Sequence, residues 1–390
     1  MPDYTVKLKE SGVKLWKAQK QTYHEKHIEE APAGIPVGAS VQALLPDGTF
    51  AGKGYYNSNS RLSLRLLTFE EEPIDREFWH RRLSKALDYR LCFYHTNDSF
   101  RLIFGDSDRV PGLIIDKFSD VIVVQITTAG IELCKEDILD ALEGLFYPKA
   151  IVLACDSLPR KKEGLELYRD VVRGSVTGPV LADIDGIGHL VDVLNGHKTG
   201  FFLDHRCNRQ MAAEFSKDRD VLDMFCFTGA FAMRAAFAGA TLVTAVDIHE
   251  PSIETGVLTA KHHQRSDQVN FVRAEAFDYL ANTEQKWDTI FLDPPSFVRG
   301  SKRARRNLSN YRKINAFAMN CLKPEGILIT SCCSFHVSRK DYLEVIESAL
   351  ETSGRSAKIF RTGYQSPDHP AIPGVDGTDY LKCFFLKMEN

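Results

Sequence analysis

The chain has 390 residues, 44% hydrophobic and 26% charged, with a formal net charge of −3. That length predicts two or three domains rather than one core, and the charge excludes a generally basic polyanion binder, so any nucleic-acid surface must be a local patch. No run approaches the roughly 18 apolar residues of a membrane span. The opening MPDYTVKLKE lacks the apolar core of a secretion signal, and the nine cysteines show no zinc spacing. The expectation is a cytoplasmic protein of mostly free thiols, with no metal and no membrane partner.

Residues 1–72 are short alternating runs broken by turns. LPDG (45–48) is a turn, and GTFAGKGYYN and SRLSLRLLTF read as strands of period two, which predicts a small β-rich domain. Residues 73–94 open on Pro73 after an acidic run and carry helical spacing. Residues 101–130 read as strands around the turns GDSD and FSD, 132–147 as an amphipathic helix and 149–157 as a strand. The block 73–183 is therefore α+β, and its RKKEG (160–164) reads as a solvated basic loop. From residue 184 strands and helices alternate. Strands are predicted at 221–225, 241–248, 269–275, 287–295, 326–331, 356–362 and 380–387. Helices are predicted at 229–239, to about 264, at 276–282, near 309–322 and at 342–354. Such alternation predicts an α/β, Rossmann-like domain over 184–390, a parallel sheet with helices on both faces.

Open α/β sheets bind ligands at the carboxyl ends of their strands, and four polar signals fall there. In DMFCFTGAF (223–231), Asp223 closes the first strand and Gly229 lets backbone approach a ligand at a helix start. The stretch is not GxGxxG, which disfavours a dinucleotide. Asp247 ends the second strand, placed to accept from both hydroxyls of a ribose. Glu275, with Ala276 beside it, is placed to accept from an adenine amino group. The fourth signal is LDPPSF (292–297). Each acid alone is more often a cap or turn; together, in this order, they describe a site for S-adenosylmethionine.

In LDPPSF the prolines fix φ and leave carbonyls to point outward. The corner Asp293-Pro294-Pro295 with Phe297 can hold a flat heterocycle, the carboxylate meeting a ring N–H or amino group and the phenyl offering a stacking face. The next long strand ends in SCCS. Carbon 5 of a pyrimidine needs activation for methylation: a thiolate adds to carbon 6, carbon 5 becomes nucleophilic, and loss of its proton expels the thiol. A free thiol needs a nearby cation or hydrogen bonds to become that thiolate. Side chains alternate along a strand, so if Thr330 and Cys332 share a face Cys333 takes the other; alternation does not say which face holds the substrate.

The stretches RKKEGLEL, GHKTGFFLDHR, VLDMFCFTGAFA, AVDIH, LDPPSF, ILITSCCSF and DHPAIPGVDGTDYLK resemble the bacterial large-subunit ribosomal RNA cytosine-C5 methyltransferases of the RlmI type, over nearly the whole chain. The resemblance implies an N-terminal PUA-like domain, a middle α+β domain and a class I methyltransferase domain. It implies 23S rRNA, free or in an assembly intermediate, as partner, and S-adenosylmethionine as cofactor. The family motif Ser-Cys-Ser falls on Cys332-Cys333-Ser334, which makes Cys333 the nucleophile, and Asp293 is implied to contact the target cytosine. Lys198, Phe202, Asp204 and Arg206 lie in the segment implied to close over the methionine end of the cofactor, and Phe225 and Ile248 are implied to join the cofactor site. The family usually has Gln where this chain has His205.

Two further departures stand out. The His-Pro-Trp-Val-Phe-like stretch of the family's PUA-like domain is replaced by QTYHEKHIEE (21–30). RGSKRARRNLSNYRK (299–313) holds seven Lys or Arg, and Arg299, Lys302, Arg303, Arg305 and Arg306 are placed to bind phosphates without reading sequence, against the plainer reading of a solvated loop. His262 and His263 read as helix surface. The competing functions are a purine N-methyltransferase, which needs no thiol, and a non-catalytic RNA-binding assembly factor. The sequence leaves the oligomeric state open and admits a homodimer.

Overall fold

The computed structural model describes residues 4–298, 304–375 and 377–389, of residues 304–307 the backbone only. The chain divides into two compact units. The first comprises residues 1–184, 191–201 and 367–378, and the second residues 185–190, 202–366 and 379–390.

Among the described residues the first unit holds two large sheets. One has six strands, in the order Thr22–Tyr23, Leu64–Thr68, Phe50–Tyr56, Ser40–Leu44, Tyr4–Leu8, Ile28–Glu30. A helix, Glu10–Lys17, absent from the sequence expectation, packs Val13, Leu15 and Trp16 on that sheet's core. The other sheet has five strands, Tyr168–Gly174, Ala150–Cys155, Val121–Ile126, Leu113–Phe118 and Phe100–Phe104, and the helices Arg76–Leu91 and Lys135–Phe146 bury their apolar residues in its core. The Asp75 carboxylate caps the first of these helices, accepting from Phe78 N at 3.0 Å.

The basic stretch 160–164 is not the solvated loop expected from its charge. Residues Leu158–Lys162 form a short helix, and Arg160 is 1% exposed. Its guanidinium donates to Ile126 O at 2.6 Å and to Glu132 at 2.8 Å, while Glu163, also buried, pairs with Arg65 at 2.8 Å. A buried cation must be matched by acceptors, and here a carboxylate and main-chain carbonyls supply them.

The second unit is built on a seven-stranded sheet. We number its strands β1 (Asp220–Met224), β2 (Leu242–Asp247), β3 (Val269–Arg273), β4 (Trp287–Leu292), β5 (Leu322–Cys332), β6 (Ala357–Gly363) and β7 (Lys382–Met388), in the order β3-β2-β1-β4-β5-β7-β6. Its helices are α1 (Arg206–Ala213), α2 (Ala230–Phe237), α3 (Glu250–His262), α4 (Ala276–Asn282), α5 (Ala304–Asn320) and α6 (Arg339–Ser353). Strands β1 to β5 pair in parallel, as the alternation predicts. β7 departs from that expectation: it runs antiparallel to both β5 and β6. Among the described residues no crossover helix separates β6 from β7, and the chain returns in the opposite direction.

Period two divides the sheet between two cores. Leu222, Met224, Leu328 and Cys332 face a core with Tyr311, Ile314 and Tyr342 of α5 and α6. Val221, Ile327, Ile329 and Phe385 face the opposite core, with Ala232 and Ala235 of α2 and Ile253 of α3.

Candidate active site

The strands β2, β1, β4 and β5 are neighbours, and their carboxyl ends bring most of the sequence-predicted residues of this unit together. After β1, Phe225, Phe227 and Gly229 all take left-handed backbone, at φ 64°, 53° and 78°. Two non-glycine residues in that region mark a loop held by its surroundings. Its ties run to β2: Asp247 Oδ2 accepts from Phe227 N at 2.9 Å, and Cys226 N donates to Val246 O at 3.0 Å. A Cβ on Gly229 would lie 2.6 Å from Phe271 Cζ, so the helix start is pressed on β3. The Phe202 ring meets Phe227 edge-on at 5.0 Å, which seats the FFLDHR segment on this loop.

Asp223 lies beneath the loop and is 1% exposed, accepting from Ala232 N at 2.9 Å. Burial pushes its carboxyl up to about 8; the Ala232 N–H opposes this, and the charges of Asp293 and Asp247 add to it. Glu275 is exposed and caps α4 through Asp278 N at 2.9 Å, and Ile248 beside Asp247 is 62% exposed. Asp204 Oδ2 accepts from Tyr380 OH at 2.6 Å, and Arg206 faces Asp185 at 3.0 Å. Lys198 belongs to the first unit, where its carbonyl accepts from Arg169 at 2.7 Å. Arg299, Lys302 and Arg303 lie outside the described residues; Arg305 and Arg306 are placed on α5 by backbone alone.

The acid–proline corner follows β4. Leu292 pairs with Thr330 of β5, so Asp293 and Ser331 come side by side, and Ser331 Oγ donates to Asp293 Oδ1. The proline carbonyls do not simply point outward. That of Pro294 accepts a long contact from Cys333 Sγ at 3.9 Å, and that of Pro295 accepts from Tyr311 OH at 3.4 Å. Phe297 stands edge-on to Tyr311 at 4.8 Å and tilted to Phe277 at 6.0 Å.

The two cysteines separate. Thr330 donates to Asn315 Oδ1 at 2.7 Å and meets Tyr342 OH at 2.7 Å, and Cys332, fully buried, lies on that helix-covered side. Burial raises its thiol's pKa, against the pull of Lys382 and Tyr311. Cys333 is the first residue past β5, half-buried beside Pro294.

Sequence reasoning missed where three polar groups lie. Ser331 was legible by alternation with Thr330. His205 Nε2 lies 3.2 Å from Asp293 Oδ1, a contact between segments 88 residues apart that no local signal announces. Lys382 pairs opposite Cys332 across the antiparallel β5/β7 ladder; its buried ammonium donates to Ser334 O at 2.6 Å and Tyr380 O at 2.7 Å. Burial lowers its pKa, and the charges of Cys332 and Cys333 act to raise it. It is a fixed cation facing both thiols.

The residues fit a cationic, hydroxyl-bearing cofactor. Three carboxylates end adjacent strands, one of them buried and held un-ionised by that burial, and the buried Thr228 Oγ1 at the loop tip has no hydrogen-bond partner among the described residues. Residues 180–387 match the family model of the S-adenosylmethionine-dependent methyltransferases, and residues 6–69 that of a PUA-like domain. Fold and site thus define an S-adenosylmethionine-dependent methyltransferase carrying a PUA-like domain. The chain is 36% identical over 368 residues to "Ribosomal RNA large subunit methyltransferase I" of Pseudoalteromonas atlantica, covering 92% of each chain. It is 34% identical to the protein of that name from Aeromonas hydrophila, over 92% of this chain and 91% of the relative. It belongs to the family of ribosomal RNA large subunit methyltransferase I, the family its motifs resemble. The crystal structure of SMU.776 complexed with SAH shares the fold, with a TM-score of 0.82 at 20% identity, over 99% of this chain and 100% of that one.

Proposed function

We propose that this protein forms 5-methylcytidine in large-subunit (23S) ribosomal RNA, with Cys333 as the nucleophile. The observation that carries the reading is the separation of the two cysteines. Cys332 is sealed in the core, whereas Cys333 stands at the acid–proline corner with the Lys382 ammonium facing it. When bound, S-adenosylmethionine supplies an electrophilic methyl on a sulfonium. The chain's part begins with Lys382, whose positive charge favours the Cys333 thiolate. The thiolate forms a bond to carbon 6 of the cytosine, and the displaced π pair runs through carbons 5 and 4 to N3. Asp293, held by Ser331 and His205, faces the base at its N3 and amino edge, and Phe297 packs on its plane. After carbon 5 is methylated, loss of its proton returns the electrons and expels the thiolate.

In this reading Asp223, Phe225 and Gly229 hold the methionine end of the cofactor together with Phe202, Asp204 and Arg206. Asp247 and Ile248 take the ribose, and Glu275 and Ala276 the adenine. Arg299, Lys302, Arg303, Arg305 and Arg306 hold RNA phosphates. Boundaries at 72/73 and 183/184 separate the PUA-like, middle and methyltransferase domains. The test is nucleoside mass spectrometry of rRNA from cells lacking the protein, before and after incubation with enzyme and S-adenosylmethionine. Gain of 5-methylcytidine by wild type and its loss in Cys333→Ala are expected. Gain of a methylguanosine instead would replace the reading with purine N-methylation, and no gain with either naked or assembled rRNA would overturn it.

A further inference from the structure

Asp293 carries a partner that the reaction outlined above uses only as a support. His205 heads α1 and is 3% exposed, with Nε2 3.2 Å from Asp293 Oδ1. Its Nδ1 lies 3.1 Å from Asn208 Nδ2, whose amide also donates to Tyr364 O at 3.1 Å. An amide N–H directed at Nδ1 makes that nitrogen the acceptor and leaves the ring proton on Nε2, against the carboxylate. Asn208 can also serve a doubly protonated ring. Its Oδ1 is buried with no hydrogen-bond partner among the described residues, and turning the amide over would present it to an Nδ1–H. The site is thus built to accept imidazole in either charge state.

The surroundings bias that choice. Burial works against the imidazolium, and the Asp293 carboxylate, by charge and hydrogen bond, more than offsets it, so the His205 pKa is raised. Asp204 adds to the rise and Arg209 opposes it, both from the same segment. From the other elements, Asp223 at the end of β1 and Cys383 on β7 face the Asp293 charge, Ser331 on β5 donates to it, and α2 presents the Phe231 ring at 5.5 Å from the imidazole.

We propose that His205 is a positioning residue that lends the reacting cytosine a proton through Asp293, an inference that rests on the cytosine-C5 reading. As the Cys333 S–C6 bond forms, N3 gains the displaced electron pair and is protonated through Asp293: the carboxylate takes the His205 Nε2 proton and passes it to N3, leaving neutral imidazole, a carboxylate ionised as before and an uncharged adduct. When the thiolate leaves, the N3 proton returns by the same route. A carboxylate beside a neutral histidine could position the amino group but would have no proton to lend.

The test compares single-turnover methyl transfer to rRNA across pH 6–10 for wild type and His205→Gln at saturating S-adenosylmethionine. Glutamine keeps a hydrogen bond to Asp293 but holds no mobile proton. The wild-type rate is expected to fall at high pH as His205 loses its proton. His205→Gln should lose that falling limb and run about 10- to 100-fold slower near neutrality. A Gln variant with the wild-type profile and rate overturns the proposal. Should the variant misfold by thermal melt, the titration of the His205 ring protons by NMR in wild type and Asp293→Asn decides instead: a midpoint unmoved by the Asn change overturns it. RNA bearing 5-fluorocytidine, which traps the thiol adduct because carbon 5 cannot shed fluorine, separates the two levels. A Cys333-linked adduct with an unchanged His205→Gln profile defeats only the His205 role, whereas no adduct in wild type defeats the cytosine reading itself.

Discussion

The two adjacent cysteines should come apart cleanly when each is replaced. Cys332 is fully buried among Tyr311, Tyr342, Val337 and Phe384. Truncating it to alanine removes one heavy atom from a packed site, which at about 0.8 kcal/mol per buried methylene plus a small cavity term costs about 1–2 kcal/mol. Serine at 332 brings a hydroxyl into the same place. The Tyr311 hydroxyl that bonds the thiol can bond the serine, so the cost stays near 1 kcal/mol, the low end for a buried polar group. Cys333 is half-buried, with a 3.9 Å sulfur–carbonyl approach to Pro294. Alanine there should change stability by about 0.5 kcal/mol or less. Activity should run the other way. Without a nucleophile the barrier rises by at least about 4 kcal/mol, roughly a thousandfold in rate, whereas both Cys332 variants keep methyl transfer within a few-fold of wild type. Urea unfolding and single-turnover transfer to rRNA, on the same preparations, read both quantities. A folded Cys332→Ser that has lost transfer, or a Cys333→Ala that retains a tenth of it, would refute the assignment.

Three other outcomes follow from the same geometry. Asp223 binds its proton more tightly in the fold, with its carboxyl at about 8 against an ordinary 3.8, so unfolding stability should decline as pH rises between those values; Asp223→Asn should flatten the decline in urea midpoints while weakening S-adenosylmethionine binding, and an unchanged slope would contradict the burial of that charge. Lys382→Met removes the cation facing Cys333 and should move the rising limb of the methyl-transfer pH profile up by about one unit; a limb that stays in place would show that the ammonium does not set the thiolate population. Ser338→Ala breaks the capping box with Asp341 at the start of α6 and should cost about 1 kcal/mol in thermal or urea unfolding with transfer unaffected.

What could be read from the sequence was what is local. The acids Asp223 and Asp247 at strand ends, the corner after β4 and the alternation along β5 all rest on period two or on neighbouring residues and lie at the predicted strand ends, whereas β3 stops at Arg273 and Glu275 caps α4 instead. α6 begins at Arg339, three residues before the predicted start, although Ser338 and Asp341 spell its capping box. The helix Glu10–Lys17 escaped because two turns carry too few apolar positions to show a helical period. RKKEG misled for a different reason. Charge is a guide to solvent only when no partner waits inside, and Glu132 and Arg65 are remote in sequence from the residues they neutralise. The reversal of β7 was likewise invisible, because strand direction depends on the connection and not on the strand's own residues. With it went Lys382, whose place beside the thiols follows wholly from that antiparallel pairing.

The charges at the strand ends also bear on how one site can hold its cofactor and let it go. Asp247, Asp223 and Asp293 close three neighbouring strands, and Asp223 already resists ionisation through burial and the other two charges. An empty site therefore carries an electrostatic cost that a bound cation relieves, and the relief is largest for the form bearing a sulfonium. Once the methyl has left, the thioether has no charge there, so in the proposed reading the same acids would hold the product less strongly. The half of the site proposed to position the base has the opposite design. Asp293 is tied to a serine and a histidine, and Cys333 faces a lysine, so its charges are matched in advance and do not wait for the ligand. A single sheet edge thus places an unneutralised acidic end beside a neutralised nucleophilic one. Because Asp293 belongs to both, the proposed hold on the base and the arrival of the cofactor's positive charge act on one carboxylate.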